Sequence, residues 1–157
     1  MPTNPDFDEA AAHKYFSAHC FNQAWDLIDK VDRTPEEDRV MEALNQASIY
    51  HWLQRKDCSN QSLSIGYWQA SRIQAILHNA PEALRHAQVC LAYSHGLAPF
   101  YLGYAHEALA RAYALAGHPV AAAGHIRAAA EFAGLVLDES EAAALLADLK
   151  TIPAGAQ

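Results

Sequence analysis

The sequence predicts an all-α fold of about seven antiparallel helices, wound into a short α-α superhelix. Three observations lead there. Alanine fills 33 of 157 positions, valine is scarce and β-branched runs are absent, so helix propensity is high and strand propensity low. Apolar residues recur at helical rather than alternating intervals. A helical hairpin from Leu97 to Gly134 also has a weaker copy upstream, as expected when each unit buries its apolar face only by stacking on the next.

Size and charge narrow the function classes. A chain of 157 residues fits one domain that buries its core without disulfide or metal staples. A net charge of −7, with both signs interspersed, argues against a nucleic-acid groove, which needs a basic stripe. No apolar run approaches the roughly 20 residues of a membrane span. The opening MPTNPDFDEA lacks a charged-then-apolar signal pattern, so a cytoplasmic protein is expected. Cys20, Cys58 and Cys90 are odd in number and widely spaced, which fits reduced thiols, with Cys20 and Cys90 as small core residues.

The elements follow from caps and periodicity. The first helix is expected over 6–29, starting near Pro5 or Phe7 under Asn4 or Asp6, with Asp6 and Glu9 at capping-box spacing. Its broad apolar arc, including Phe16, Phe21, Trp25 and Ile28, predicts cover on two sides. Thr34, Pro35 and Glu37 open a second helix over 35–54. A third, over 61–77, carries Leu63, Tyr67, Ala70, Ile73 and Leu77 on one face, with Gly66 allowing a close neighbour. Asn79 with Glu82 predicts a cap for the fourth, over 80–94. Helices five and six, over 98–116 and 119–135, are split by Gly117, His118 and Pro119. Asp138 and Glu141 open a seventh over 139–150, leaving 151–157 as a frayed tail.

A shift of 39 residues carries Arg111 onto Arg72, Ala114 onto Ala75, Ala122 onto Ala83 and His125 onto His86. In the downstream copy, Leu109-Ala110-x-x-Tyr113, Ala116-Gly117, Ala122-x-x-x-Ile126 and Ala129 follow a Leu, small, aromatic, Gly, Ala, bulky, Ala pattern. This unit resembles the tetratricopeptide repeat family, although its period exceeds the family's usual length of about 34. The upstream copy keeps Tyr67, Ser71, Ala83 and Cys90 but has Gln74 for the aromatic and His78 for the glycine. The resemblance covers about Gln61 to Gly134. The segments DRTPEED, SIYHW and IGYWQASR are also similar to small bacterial tetratricopeptide-like proteins, which brings no activity with it.

The resemblance implies a right-handed superhelix with a concave groove lined by the first helix of each hairpin, with Arg72 and Arg111 facing the ligand and Trp68 and Glu107 flanking them. Two forked guanidinium groups suit a carboxylate on a peptide or protein. The competing reading pairs Arg111 with Glu107 four residues before it on the same helix. Tyr50, His51, Trp52, Tyr67 and Trp68 form either an aromatic ligand wall or core. His86 and Cys90, four apart, share one helix face, yet a metal site needs three or four converging ligands. Nucleotide-loop and serine-elbow patterns are absent.

The expectation is therefore a non-catalytic module that binds a protein or peptide, without cofactor or metal. Two alternatives stay open. One is a small metal- or ligand-dependent enzyme using His51 or His86 with Cys90. The other is a self-associating scaffold, a homodimer through helix six with Val136 and Leu137 where helix seven leaves them uncovered.

Overall fold

The computed structural model describes residues 7–153, and within them the chain is seven helices with no strand. They are α1 (Glu9–Asp29), α2 (Pro35–Leu53), α3 (Asn60–Ile76), α4 (Ala80–Ser94), α5 (Pro99–Leu115), α6 (Pro119–Ala133) and α7 (Glu139–Lys150). Consecutive helices pack as antiparallel neighbours, and α3 also packs on α5 and α5 on α7, giving an α-α superhelical repeat. The inner row is completed by α1, whose Trp25 ring lies 5.4 Å from that of Trp68. Gln69 on α3 donates to the Phe21 carbonyl of α1 at 3.1 Å.

Local chemistry sets the ends. Asn4, Pro5 and Asp6 lie outside the described residues. The expected start of the first helix is corrected to Glu9, because Asp8 is extended and its carboxylate accepts from the Ala11 amide at 2.9 Å. At α2 the reciprocal box forms: Glu37 N–H donates to Thr34 Oγ1, and Thr34 N–H to Glu37 Oε2. Asn79 precedes α4 as expected, but its side chain makes no capping bond. With ψ at 78°, outside the extended range usual for a cap, Asn79 contributes its carbonyl to the Ala83 amide, while Glu82 turns to Arg85.

The repeat is geometrically strict. Both ends of α3 and α4 recur 39 residues later as both ends of α5 and α6. The turns match too: Asn79 N–H reaches back to the Gln74 carbonyl and His118 N–H to that of Tyr113, each at 2.9 Å. Such a six-to-one closure requires a left-handed residue, supplied by Gly117 at φ 77° and by His78 at φ 58°. Side-chain stacking repeats as well. Tyr67 on α3 stacks with Tyr93 and lies tilted against His86 of α4, and its equivalent His106 on α5 stacks with Phe132 and His125 of α6.

Small residues let these helices approach closely. Three apolar clusters run along the stack: Ala24, Met41 and Ile73; then Ala87, Ala108 and Leu109; then Ala110, Ala129, Ala133, Leu145, Leu149 and Ile152. A methyl at Gly66 would sit 3.1 Å from Ile49, and one at Gly103 only 2.5 Å from Leu145. α7 packs on both α5 and α6, while Val136, in the link before it, is half-buried and Leu137 fully exposed. The frayed tail expected from 151 is also corrected. Ile152 is buried in the last cluster and Thr151 is held by Arg111, because α7 brings both over α5; the rest of that tail, 154–157, lies outside the described residues.

Candidate functional site

A groove of about 710 Å³ crosses the inner row of helices. Trp25 and Ile28 enter it from α1, Trp68 and Arg72 from α3, Arg111 from α5 and Asp148 from α7. Helical spacing explains the alignment. Trp68 and Arg72 are four residues apart on one face of α3, and Glu107 and Arg111 hold the equivalent places on α5.

Glu107 is the hub of the groove's floor. Only 1% exposed, it accepts Trp68 Nε1 on Oε2 at 2.9 Å. Its other oxygen, Oε1, takes Arg111 Nε at 2.9 Å and Nη2 at 2.6 Å, and Arg72 Nη1 at a longer 3.4 Å. A buried carboxylate is tolerable only with such pairing. The Trp68–Glu107 bond joins a position to its own equivalent in the next unit.

The two repeated arginines are thereby made unequal. Arg111 Nη2 also donates to the Asp148 carbonyl and to Thr151 Oγ1, tying α5 to α7. Arg72 has only the long contact to Glu107 among the described residues. Burial, and next the like charge of Arg111, lower the Arg72 pKa, opposed by Glu107. Its guanidinium faces the groove short of acceptors.

Beside Trp68 the groove opens into a smaller recess of about 340 Å³, walled by aromatic rings and edged by Asp148. Tyr104 Oη donates to Asp148 Oδ2 at 2.9 Å. Burial, reinforced by that carboxylate, raises the Tyr104 pKa, so the hydroxyl stays a donor.

Of the other residues singled out from sequence, Tyr50 and His51 do not line the groove. Tyr50 is exposed, and His51 is hydrogen-bonded to His13 across 2.7 Å between Nδ1 atoms, beside Phe16. Burial and then His13 lower the His51 pKa. Trp52 lies under the Arg55 guanidinium, 3.7 Å from its centroid, and Tyr67 faces α4. From the proposed aromatic wall, Trp68 alone reaches the groove, because the others point from different sides of α2 and α3.

His86 and Cys90 sit in the α3–α4 seam. The Cys90 thiol, pushed up to about 11 by burial, donates to the Ser64 carbonyl at 3.3 Å. The His86 ring lies tilted against Tyr67, and burial followed by Arg85 lowers its pKa. Among the described residues no group of three or more His, Cys, Asp or Glu is arranged to hold a metal ion, and all three cysteines are free thiols. None of the helices there is long and apolar enough to cross a membrane.

Sequence spacing did not indicate Trp25, Asp148, Thr151 or, apart from Trp68, the rings of the recess. They come together only through contacts between units. The molecule is thus an all-α helical repeat with a walled groove across its inner helices. No family model, curated protein or solved structure matches the chain.

Proposed function

We propose that the protein is a non-catalytic binding module whose groove takes a peptide or protein segment through a carboxylate, received by Arg72. The observation that supports this is the inequality of the two arginines. Glu107 is already satisfied by Arg111 and Trp68, and Arg72 is left half-buried with unused forked donors. A carboxylate in the groove would give Arg72 the bidentate partner it lacks. Arg111 serves chiefly to hold the floor and α7.

The test is a fluorescence-anisotropy comparison of groove-binding peptides, selected from a pool of random sequence, each made with a free or an amidated C-terminus. Free-acid peptides are expected to bind at least about tenfold more tightly, as for a charge-assisted pair worth roughly 1.5–3 kcal/mol. Arg72→Ala should abolish that preference, and Arg72→Lys should restore part of it. Equal affinity of the two peptide forms, or an unchanged preference in Arg72→Ala, would overturn the proposal.

A further inference from the structure

The recess beside the groove has a chemistry opposite to that of Arg72. Its walls are Trp25 from α1, Trp68 from α3, and Phe100, Tyr101 and Tyr104 from the start of α5, with Asp148 of α7 at the edge. The rings form an unbroken series. Centroids are 5.4 Å apart from Trp25 to Trp68, 5.2 Å from Trp68 to Tyr104, 5.0 Å from Tyr104 to Phe100 and 5.3 Å from Phe100 to Tyr101. All five rings are only part-buried, so they wall an open space as well as pack on one another.

Charge distinguishes among occupants. Arg72 and Arg111 line the adjoining groove but not the recess, whose single ionisable carboxylate is Asp148. The polar hydrogens of two walls are already committed: Trp68 Nε1–H to Glu107 and the Tyr104 hydroxyl to Asp148 Oδ2. Asp148 Oδ1 accepts no hydrogen bond among the described residues. The Tyr101 hydroxyl and the Trp25 indole N–H make no hydrogen bond among the described residues, but no cationic side chain lines the recess and an anion there would face the Asp148 carboxylate. A metal ion would exchange its water for rings and one carboxylate, too few oxygen ligands to compensate. A weakly hydrated organic cation loses little on entering, meets negative ring faces and gains a counter-ion.

We propose that this recess binds a quaternary or methylated ammonium group, with Trp25, Trp68 and Tyr104 as its aromatic walls and Asp148 as counter-ion. The inference stands apart from the carboxylate reading of Arg72. Trp68 and Asp148 border both compartments, so a ligand carrying both charges could span them.

The test uses choline and its tert-butyl analogue, in which carbon replaces the charged nitrogen. Titrations follow the indole fluorescence of a Trp52→Phe chain, leaving Trp25 and Trp68 as reporters. Choline should give a saturable change and bind at least about tenfold more tightly than the analogue, the size of a desolvated cation–π contact with a counter-ion. Asp148→Asn keeps an oxygen to accept from Tyr104 and should bring choline close to the analogue. Arg72→Ala should leave choline binding unchanged or tighter, so failure of the carboxylate reading leaves this result intact. Equal binding of choline and analogue would make the recess merely apolar, and no saturable response to choline would remove the site; either overturns the proposal. That comparison needs neither the Asp148 nor the Arg72 variant to fold.

Discussion

Replacing Glu107 by Gln tests whether the groove's floor depends on a buried charge. The substitution preserves shape but leaves two arginine side chains, 13% and 21% exposed, without their shared counter-ion. It also sets an amide N–H₂ against either Trp68 Nε1–H or the donors of Arg111. Removing one partner of a fully buried pair costs about 3–5 kcal/mol. The arginines retain some contact with solvent and one Gln oxygen remains, so a loss of about 2–3 kcal/mol is expected. For a chain of this size that lowers Tm by roughly 5–10 °C. Urea and thermal unfolding followed by circular dichroism measure both quantities. The double variant Glu107→Leu with Arg111→Leu should cost less than the sum of the two single changes, since no buried charge is then orphaned on α5. A loss below about 0.5 kcal/mol for Glu107→Gln, within the range of ordinary surface changes, would refute the hub.

Two further outcomes follow from the turns and the histidines. His78→Gly should raise stability by about 0.5–1 kcal/mol, because left-handed backbone strain of order 1–2 kcal/mol is relieved against the greater chain entropy of glycine; a lower urea midpoint would contradict it. His51, His86, His106 and His125 all have folded-state pKa values lowered chiefly by burial. The unfolded chain therefore takes up protons near the ordinary value of about 6.5 that the folded chain refuses, so stability is full above that pH and falls on acidification through the folded values. The urea midpoint should drop between about pH 7.5 and pH 5.5, and His125→Phe, which breaks the 2.9 Å Nδ1 contact with His106, should flatten that slope; a midpoint that stays constant or rises would count against buried neutral imidazoles.

The repeat was legible because it rests on residues that do the same physical work twice. His86 matches His125 since each packs against the ring at one fixed place of its partner helix, Tyr67 or His106. Arg72 matches Arg111 because both reach one carboxylate. The burial of Glu107 was hidden, since a Glu four residues before an Arg reads equally well as a surface pair. Its Trp68 partner lies 39 residues away, beyond any local pattern. Phe100, Tyr101 and Tyr104 carry no helical-face signal that separates a wall from a core, and only Trp25 and Asp148, from opposite ends of the stack, give them an open space to line. The expected cap at Asn79 has the right spacing, but after the left-handed His78 its own backbone is not extended and its side chain makes no capping bond.

Gly103 carries one last consequence. Its equivalent in the preceding unit is Ser64, whose hydroxyl is 2.8 Å from that of Ser94 and which is buried in the seam with α4. At 103 the side chain is gone, and Leu145 of α7, fully buried, lies where it would have been. The instruction to stop stacking is therefore written two helices before the helix that does the stopping, as a missing atom. An array lengthened by duplicating the α5–α6 pair would still accept α7 at its end. One lengthened by placing a copy of α3–α4 there would present a serine to Leu145 and lose its terminus.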